Sequence, residues 1–381
     1  MQIDTTLVMV AILGMLGVAA AEQGSPGRWI NPLCTPLEIP FNGPFIQLED
    51  GTLMVMDKNV LRTSADGGKT WSEGGEPICA GMNLGHVGHV GQLLRTANGA
   101  LVVIYLDFDG YKFSWDNAKG APNADCKLEM WAIRSVDGGK TWVDRQRLLE
   151  GYNADFMGFI QASAGSIVAT VEHLKPELKR WVACSFYSED DGKTWRRSNW
   201  IDLGGHGHHD GATEPMMVER GDGRLLMLIR TTLGQFWKAY SDDHGRYWRV
   251  IQPSGIDASS APGWLVRLNS GRLALTWNQS KPEGRDDWPK SNFAGPASEH
   301  PASWYREELS LAFSEDDGET WTKPVVIARQ PEGQLAYPYI LERTPGELWV
   351  FTRYTWFKGG KPAPPLAVSV KEDDFVRGPG N

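Results

Sequence analysis

The chain has 381 residues, of which 41% are apolar and 22% are charged, so it can bury a large core as a globular protein. Its net charge is -9 and it contains no basic run, which disfavours a nucleic-acid partner because phosphate binding rests on clustered Lys and Arg. The 43 glycines and 23 prolines predict frequent turns.

The N-terminus has the pattern of an export signal. An apolar stretch from Leu7 to Ala20 is too short to span a bilayer, and it ends in three alanines typical of a cleavage site. We therefore expect residues 1–21 to be a signal peptide and residues 22–381 to be a secreted or periplasmic single domain. Asp4 stands where such signals usually carry Lys or Arg, and a buried helix is the alternative.

The cysteines leave the redox state of the chain open. Four thiols permit three disulfide pairings, and no spacing among them resembles a zinc site. They are Cys34, Cys79, Cys126 and Cys184.

An eight-residue box, Ser-x-Asp-x-Gly-x-Thr/Tyr-Trp, recurs along the chain. The residue types predict a hairpin turn, because Asp bonds its own backbone, Gly supplies a positive φ and Trp anchors the turn on apolar surface. The box is therefore predicted to be structural. The five copies begin at Ser64, Ser135, Ser188, Ser241 and Ser314.

A fainter repeat, a turn glycine followed by an apolar strand, occurs six times. Each of the first five units is followed by one box, so the sixth must complete its sheet with another segment, which we expect near residues 29–40. Radial repetition of four-stranded antiparallel sheets predicts an all-β fold, a six-bladed β-propeller. The turn glycines are Gly51, Gly99, Gly165, Gly223, Gly271 and Gly346.

The box is similar to the Asp-box of the sialidase superfamily, and the resemblance spans roughly residues 40–375. As the family is understood, it implies a propeller that cleaves sugars with a Tyr nucleophile, a Glu base, an Asp acid/base and three Arg that bind the substrate carboxylate. In order and position Glu214, Arg230, Arg306 and Tyr337 match the Glu, the second and third Arg, and the Tyr.

Cleavage of a sugar that carries a carboxylate requires these residue types. Guanidinium groups make paired, charge-assisted bonds to a carboxylate, which suits Arg230 and Arg306. A phenol titrating near pH 10 needs a neighbouring carboxylate such as Glu214 to take its proton, and adjacent cations would lower the pKa of Tyr337. The alternative, structural roles are a surface ion pair for each Arg and packing between blades for the Tyr.

Two positions depart from the family pattern. The Arg-Ile-Pro that opens the first sialidase blade is missing, and Asn42 lies there instead, where its amide could bond a neutral hydroxyl. The acid/base loop is short, and Asp57 is the acid available in it, with a solvated turn residue as the alternative.

A glycine loop just before Glu214 is unusually rich in histidine. His208 or His209 could replace the missing acid/base, with Asp210 as partner or acid. His86 and His89 lead the second unit and could reach the same face to bind substrate, as could His208. The alternatives are a metal site or hydrogen-bonded loop histidines; we expect no cofactor and no metal.

Aromatic residues in the two long insertions are candidates for stacking on sugar rings. They are Tyr111, Phe113, Trp115, Trp288, Trp304 and Tyr305.

The favoured hypothesis is a secreted sialidase-like exo-glycosidase that hydrolyses a terminal acidic sugar from a glycan, with no nucleic-acid, membrane-spanning or protein partner indicated. The alternatives are a non-catalytic glycan-binding propeller, and a polysaccharide lyase in which Tyr337 or a histidine abstracts a proton beside a carboxylate neutralised by arginine.

Overall fold

The computed structural model describes residues 27–84, 91–287, 290–291, 301–357 and 361–376. The predicted signal peptide lies outside the described residues. Within the described ranges no helix has the length and apolar character needed to cross a membrane. The described helix is α1, Glu372–Val376.

The strands follow one another in chain order, separated by the predicted glycine and Asp-box turns. They are β1 (Trp29–Ile30), β2 (Cys34–Pro36), β3 (Phe45–Gln47), β4 (Leu53–Asp57), β5 (Val60–Ser64), β6 (Gly91–Arg95), β7 (Leu101–Lys112), β8 (Trp115–Asp116), β9 (Ala121–Pro122), β10 (Lys127–Ser135), β11 (Val143–Leu149), β12 (Tyr152–Ala154), β13 (Phe159–Gln161), β14 (Ile167–Lys175), β15 (Arg180–Ser188), β16 (Arg196–Arg197), β17 (Thr213–Glu219), β18 (Leu225–Arg230), β19 (Gln235–Ser241), β20 (Arg249–Asp257), β21 (Trp264–Arg267), β22 (Leu273–Trp277), β23 (Lys290–Ser291), β24 (Ala302–Ser303), β25 (Glu308–Ser314), β26 (Val325–Arg329), β27 (Gly333–Thr344), β28 (Glu347–Phe357), β29 (Lys361–Pro362) and β30 (Ala367–Lys371).

These strands form six antiparallel blades, which confirms the predicted six-bladed β-propeller. The blades are β3–β5; β6, β7, β10 and β11; β13–β16; β17–β20; β21, β22, β25 and β26; and β27, β28, β30 and β2. The first blade has three named strands, and its fourth edge is an irregular segment in which the N–H groups of Ser72 and Gly75 bond to β5.

The N-terminal segment completes the sixth blade, as the missing sixth box predicts. Cys34 of β2 pairs with Val370 of β30, and β1 adds a further strand to the fifth blade. The Tyr339 hydroxyl accepts a hydrogen bond from the Phe45 N–H at 3.0 Å, joining the sixth blade to the first.

The Asp-boxes form hairpin turns by the predicted bonds. In the second copy the Ser135 hydroxyl bonds Asp137 at 2.7 Å, and the N–H groups of Gly139 and Thr141 bond Ser135 and Asp137 at 2.8 and 2.9 Å. The turn needs glycine because Gly139 has φ +90°. These side-chain bonds replace backbone pairing at the turn, so the box is structural.

The boxes lie at the opposite end of the blades from the predicted catalytic residues. In the fourth blade Leu225 of β18 pairs with Ser241, the box serine, whereas Arg230 at the other end of β18 pairs with Thr213 of β17. The side chains between these ends are buried, and the apolar ones pack between neighbouring blades. The four cysteines are buried within this packing as free thiols.

Candidate active site

Glu214 and Tyr337 enter the site from equivalent points of two blades. Each lies nine residues before the turn glycine of its blade, within the first strand of that blade. Both have positive φ angles, 41° and 54°. This backbone conformation is energetically unfavourable for any residue other than glycine. The packing of the surrounding blades therefore holds these two residues in backbone conformations that are unfavourable in an isolated chain.

Glu214 is bonded on both carboxylate oxygens. The Tyr337 hydroxyl donates to Oε1 at 2.5 Å, and Arg230 Nη1 donates to Oε2 at 2.6 Å. Burial opposes ionisation of Glu214, but the Arg230 guanidinium outweighs it and lowers the pKa of the carboxyl, so Glu214 is charged near neutrality. A buried carboxylate with this partner can accept the phenol proton.

The pKa of Tyr337 is raised, contrary to the expectation that neighbouring cations would lower it. Burial is the main cause, followed by the charges of Glu214 and Asp155, and together they outweigh Arg230 and Arg306. The phenol therefore keeps its proton at rest, and it becomes a nucleophile only as Glu214 takes that proton.

Two further acids, Asp155 and Glu172, share the site. Their carboxylate oxygens and those of Glu214 lie within 4.8 Å of one another, and Glu172 Oε2 accepts the Glu214 N–H at 3.0 Å. Burial, then the charge of Glu214, raises the pKa of both carboxyls well above the usual range. Three carboxyl groups this close cannot all be ionised, because their negative charges repel one another. Asp155 and Glu172 therefore hold protons, while Arg230 keeps Glu214 charged.

Asp155 is the more exposed of the two acids and has φ +32°. Its side chain hydrogen-bonds to Glu214. A partly exposed, protonated carboxyl beside the base is suited to donate a proton to a bound substrate.

Arg306 borders the tyrosine from the fifth blade. Its guanidinium carbon lies 5.9 Å from the centre of the Tyr337 ring and 5.5 Å from that of Trp304. Arg306 Nη2 donates to the Ser260 carbonyl at 2.6 Å, while Arg230 Nε donates to the hydroxyl of the same serine at 3.2 Å. Ser260 thus accepts a hydrogen bond from each of the two arginines predicted to bind a carboxylate.

The histidine loop lies beside these arginines. The His209 ring is 4.3 Å from His208 and 5.0 Å from Trp304, measured between centroids. Burial lowers the pKa of His208 to about 4 and that of His209 well below its usual value. Both imidazoles are neutral at pH 7, which does not suit the role of acid.

Aromatic residues of the second-blade insertion reach the same loop. The His208 ring is 5.0 Å from Phe113 and 5.4 Å from Trp115. Trp304, from the fifth-blade insertion, contacts the same loop through His209. Asp210 is buried instead and accepts the Thr232 hydroxyl at 2.7 Å, a contact that holds the loop.

Some predicted site residues have no described bond to the Glu214 cluster or lie outside the described residues. Asp57 pairs with Arg62 at 2.6 Å, and in the described ranges no hydrogen bond or ion pair joins it to Glu214. Asn42 is partly exposed at the entry to the first blade. His86 and His89 lie outside the described residues, and so does Trp288.

The position of each residue within the repeat would have identified Asp155 and Glu172 from the sequence. Arg230 and Glu172 each lie seven residues after the turn glycine of the blade, and Asn278 occupies that position in the fifth blade. Asp155 lies ten residues before its turn glycine, one more than Glu214. Counting from the glycines thus points to the residues at the site end of each blade.

The family model of the BNR repeat-like domain matches residues 118–350, which is more than half of the chain. The chain belongs to the BNR repeat-like family. This membership confirms the superfamily resemblance drawn from the Asp-boxes, and the match spans Glu214, Arg230, Arg306 and Tyr337.

Solved structures similar to this BNR repeat-like chain have propellers of related shape. A protein of unknown function from Dyadobacter fermentans has a TM-score of 0.57 at 16% identity, with 91% of this chain and 100% of that chain covered. The intramolecular trans-sialidase of Ruminococcus gnavus has a TM-score of 0.55 at 14% identity, covering 88% and 95%. An α-L-arabinofuranosidase of Fusarium graminearum has a TM-score of 0.56 at 12% identity, covering 90% and 99%. At these identities the likeness shows the fold alone.

Proposed function

We propose that the protein is an exported exo-glycosidase that releases a terminal acidic sugar from a glycan through a covalent tyrosine intermediate. The observation that carries the proposal is the 2.5 Å hydrogen bond from the Tyr337 hydroxyl to Glu214, whose other oxygen is bonded to Arg230. A tyrosine without an adjacent base is a poor nucleophile, and this pair supplies the base.

In the proposed reaction Tyr337 Oη attacks the anomeric carbon while Glu214 takes the phenol proton. The glycosidic bond breaks as Asp155 donates its proton to the leaving oxygen. Water then attacks the tyrosyl–sugar bond, with Asp155 accepting a water proton and Glu214 returning the proton to the phenol. Two inversions at one carbon give net retention.

Two arginines support an acidic substrate. Arg230 and Arg306 flank the tyrosine within one network through Ser260, and guanidinium groups are suited to bind a carboxylate. Phe113, Trp115 and Trp304, which contact the histidine loop, offer the remaining sugar apolar surface.

The test is turnover on a panel of aryl and natural glycosides of sialic acid, uronic acids and neutral sugars. For the substrate that is cleaved, we expect Glu214→Gln to lower kcat by about 10²- to 10⁴-fold, the usual contribution of a general base, and Tyr337→Phe to lower it at least as much. Arg62→Gln, which alters the ion pair of Asp57, is the control and should keep activity. Unchanged turnover in both site variants refutes the catalytic assignment, and retained binding without any turnover favours a glycan-binding propeller.

A further inference from the structure

The sixth blade places a third arginine opposite the tyrosine in the strand register. The register that pairs Pro338 with Thr352 sets Arg353 of β28 opposite Tyr337. Arg353 lies seven residues after its turn glycine, the repeat position that Arg230 occupies in the fourth blade. It therefore belongs to the site end of the propeller.

Arg353 is enclosed mainly by aromatic rings. Its guanidinium carbon lies 5.0 Å from the centre of the Trp264 ring and 5.5 Å from that of Tyr339. Nη2 donates to the Pro338 carbonyl at 3.3 Å, while Nε and Nη1 are buried without a hydrogen-bond partner in the described part of the chain. Buried N–H groups rarely lack a hydrogen-bond acceptor, so these two N–H groups are available to bind a ligand.

Two other arginines with little exposed side chain are neutralised by carboxylates. Arg230 pairs with Glu214 at 2.6 Å and Arg220 with Glu319 at 2.8 Å. Burial lowers the pKa of Arg353 to about 10, and the nearby acid that favours its charge is Asp155, which holds a proton. Among the described residues no ion pair therefore neutralises this cation.

The first blade approaches Arg353 through the Tyr339 ring, at the position where the family pattern departs. Gly43 packs so closely on Tyr339 that a Cβ there would lie 2.7 Å from the ring. The segment that holds Asn42, where an arginine was expected, therefore runs past the aromatic ring on which Arg353 stacks. The first-blade segment that lacks the expected arginine and the sixth-blade guanidinium therefore contact the same ring.

We propose that Arg353 binds the anionic substituent of a sugar ligand, a carboxylate or a sulfate ester, at the edge of the site beside Tyr337. This inference rests on the proposed function insofar as it takes the ligand to be a sugar. It assigns to the sixth blade a specificity-determining residue that the sequence pattern did not indicate.

The experiment measures binding, so that it stays separate from turnover. Glucuronic acid, N-acetylneuraminic acid, galactose 6-sulfate and galactose are titrated calorimetrically into the full chain carrying Tyr337→Phe, with and without Arg353→Met. We expect Arg353→Met to weaken binding of the preferred anionic sugar by at least about 30-fold, as for a broken buried charge pair, and to leave galactose unchanged. Whether carboxylate or sulfate is preferred identifies the source of the charge.

Two further measurements separate binding from packing. Arg353→Met removes an unneutralised buried charge at similar volume, so the unfolding temperature without ligand should stay equal or rise. Arg343→Gln is the matched control, because Arg343 also stacks on an aromatic ring, 5.7 Å from Trp349, and it should bind as the parent does.

The inference is overturned if Arg353→Met lowers stability and leaves anionic binding unchanged, or if no anionic sugar binds the parent chain. Loss of anionic binding in Arg353→Met together with unchanged turnover in Tyr337→Phe refutes the catalytic proposal alone. Full dependence of turnover on Tyr337 with no dependence of binding on Arg353 refutes this inference alone.

Discussion

Glu172→Gln should make the protein more stable at alkaline pH. Glu172 is 3% exposed and shares its surroundings with Glu214 and Asp155, whose oxygens lie within 4.8 Å of its own. Glutamine has the shape of the protonated acid, and its carbonyl oxygen can keep the bond from the Glu214 N–H. The substitution therefore removes a charge that the fold resists while leaving the contact in place.

The sign follows from the direction of the pKa shift. Because the fold raises the pKa of Glu172, its favourable contribution is complete below the unfolded pKa, about 4.3, and is lost as pH rises through the folded pKa. Each unit of the raise costs about 1.4 kcal/mol at higher pH, which corresponds to roughly 2 °C in a chain of this size. Glutamine has no such loss, so its advantage grows from about pH 4 upwards.

The assay is calorimetric or fluorescence unfolding of the parent and Glu172→Gln between pH 4 and pH 9. We expect equal unfolding temperatures near pH 4 and a gain of about 2 °C or more at pH 8. Glu129→Gln is the control, because that buried glutamate pairs with Arg147 at 3.1 Å and its loss should bring no alkaline gain. A lower unfolding temperature for Glu172→Gln at pH 8 would refute the protonated carboxyl cluster.

Three further predictions test the site and the closure of the ring. If Asp155 is the proton donor, Asp155→Asn should lower kcat by about 10²- to 10⁴-fold on natural glycosides and much less on aryl glycosides whose leaving group needs no proton. The parent kcat/KM should fall as pH rises through the raised pKa of Asp155, and a flat alkaline profile would contradict this role. Tyr339→Phe removes the hydroxyl that accepts a first-blade N–H at 3.0 Å and should cost about 1–3 kcal/mol in urea unfolding. Gly211→Ala would put a Cβ 2.1 Å from the Trp181 carbonyl at φ +102° and should destabilise by at least about 2 kcal/mol, whereas Gly204→Ala meets nothing within 4 Å and should cost about 1–2 kcal/mol.

The propeller could be predicted because its turns are specified locally. The bonds between Ser135, Asp137 and Thr141 lie within one box, so the residue types report the turn whatever surrounds it. The six turn glycines act in the same way. The closing strand was harder, because β2 joins β30 from the other end of the chain and only the missing sixth box implied it.

The site could be predicted in part, from the order of its residues. Glu214, Arg230 and Tyr337 match a family pattern, and the structure brings them within hydrogen-bonding distance. Glu172 and Arg353 lie inside apolar strands, where a single charge predicts nothing about its partners. Their roles depend on which blades face each other at the axis, and the displaced pKa values depend on the burial that this arrangement creates.

Three residues of the site share a left-handed backbone conformation. Asp155, Glu214 and Tyr337 have φ angles of 32°, 41° and 54°; Glu214 and Tyr337 lie in the first strand of a blade, and Asp155 precedes one. A left-handed residue costs roughly 1–2 kcal/mol, which glycine would avoid, yet an acid or a phenol occupies each position. The strand that holds Glu214, β17, is buried along nearly all its length, so the packing of the propeller can hold such a conformation. The three strained positions bring a phenol and two carboxyl groups together, and the rest of the fold supplies the stability this requires.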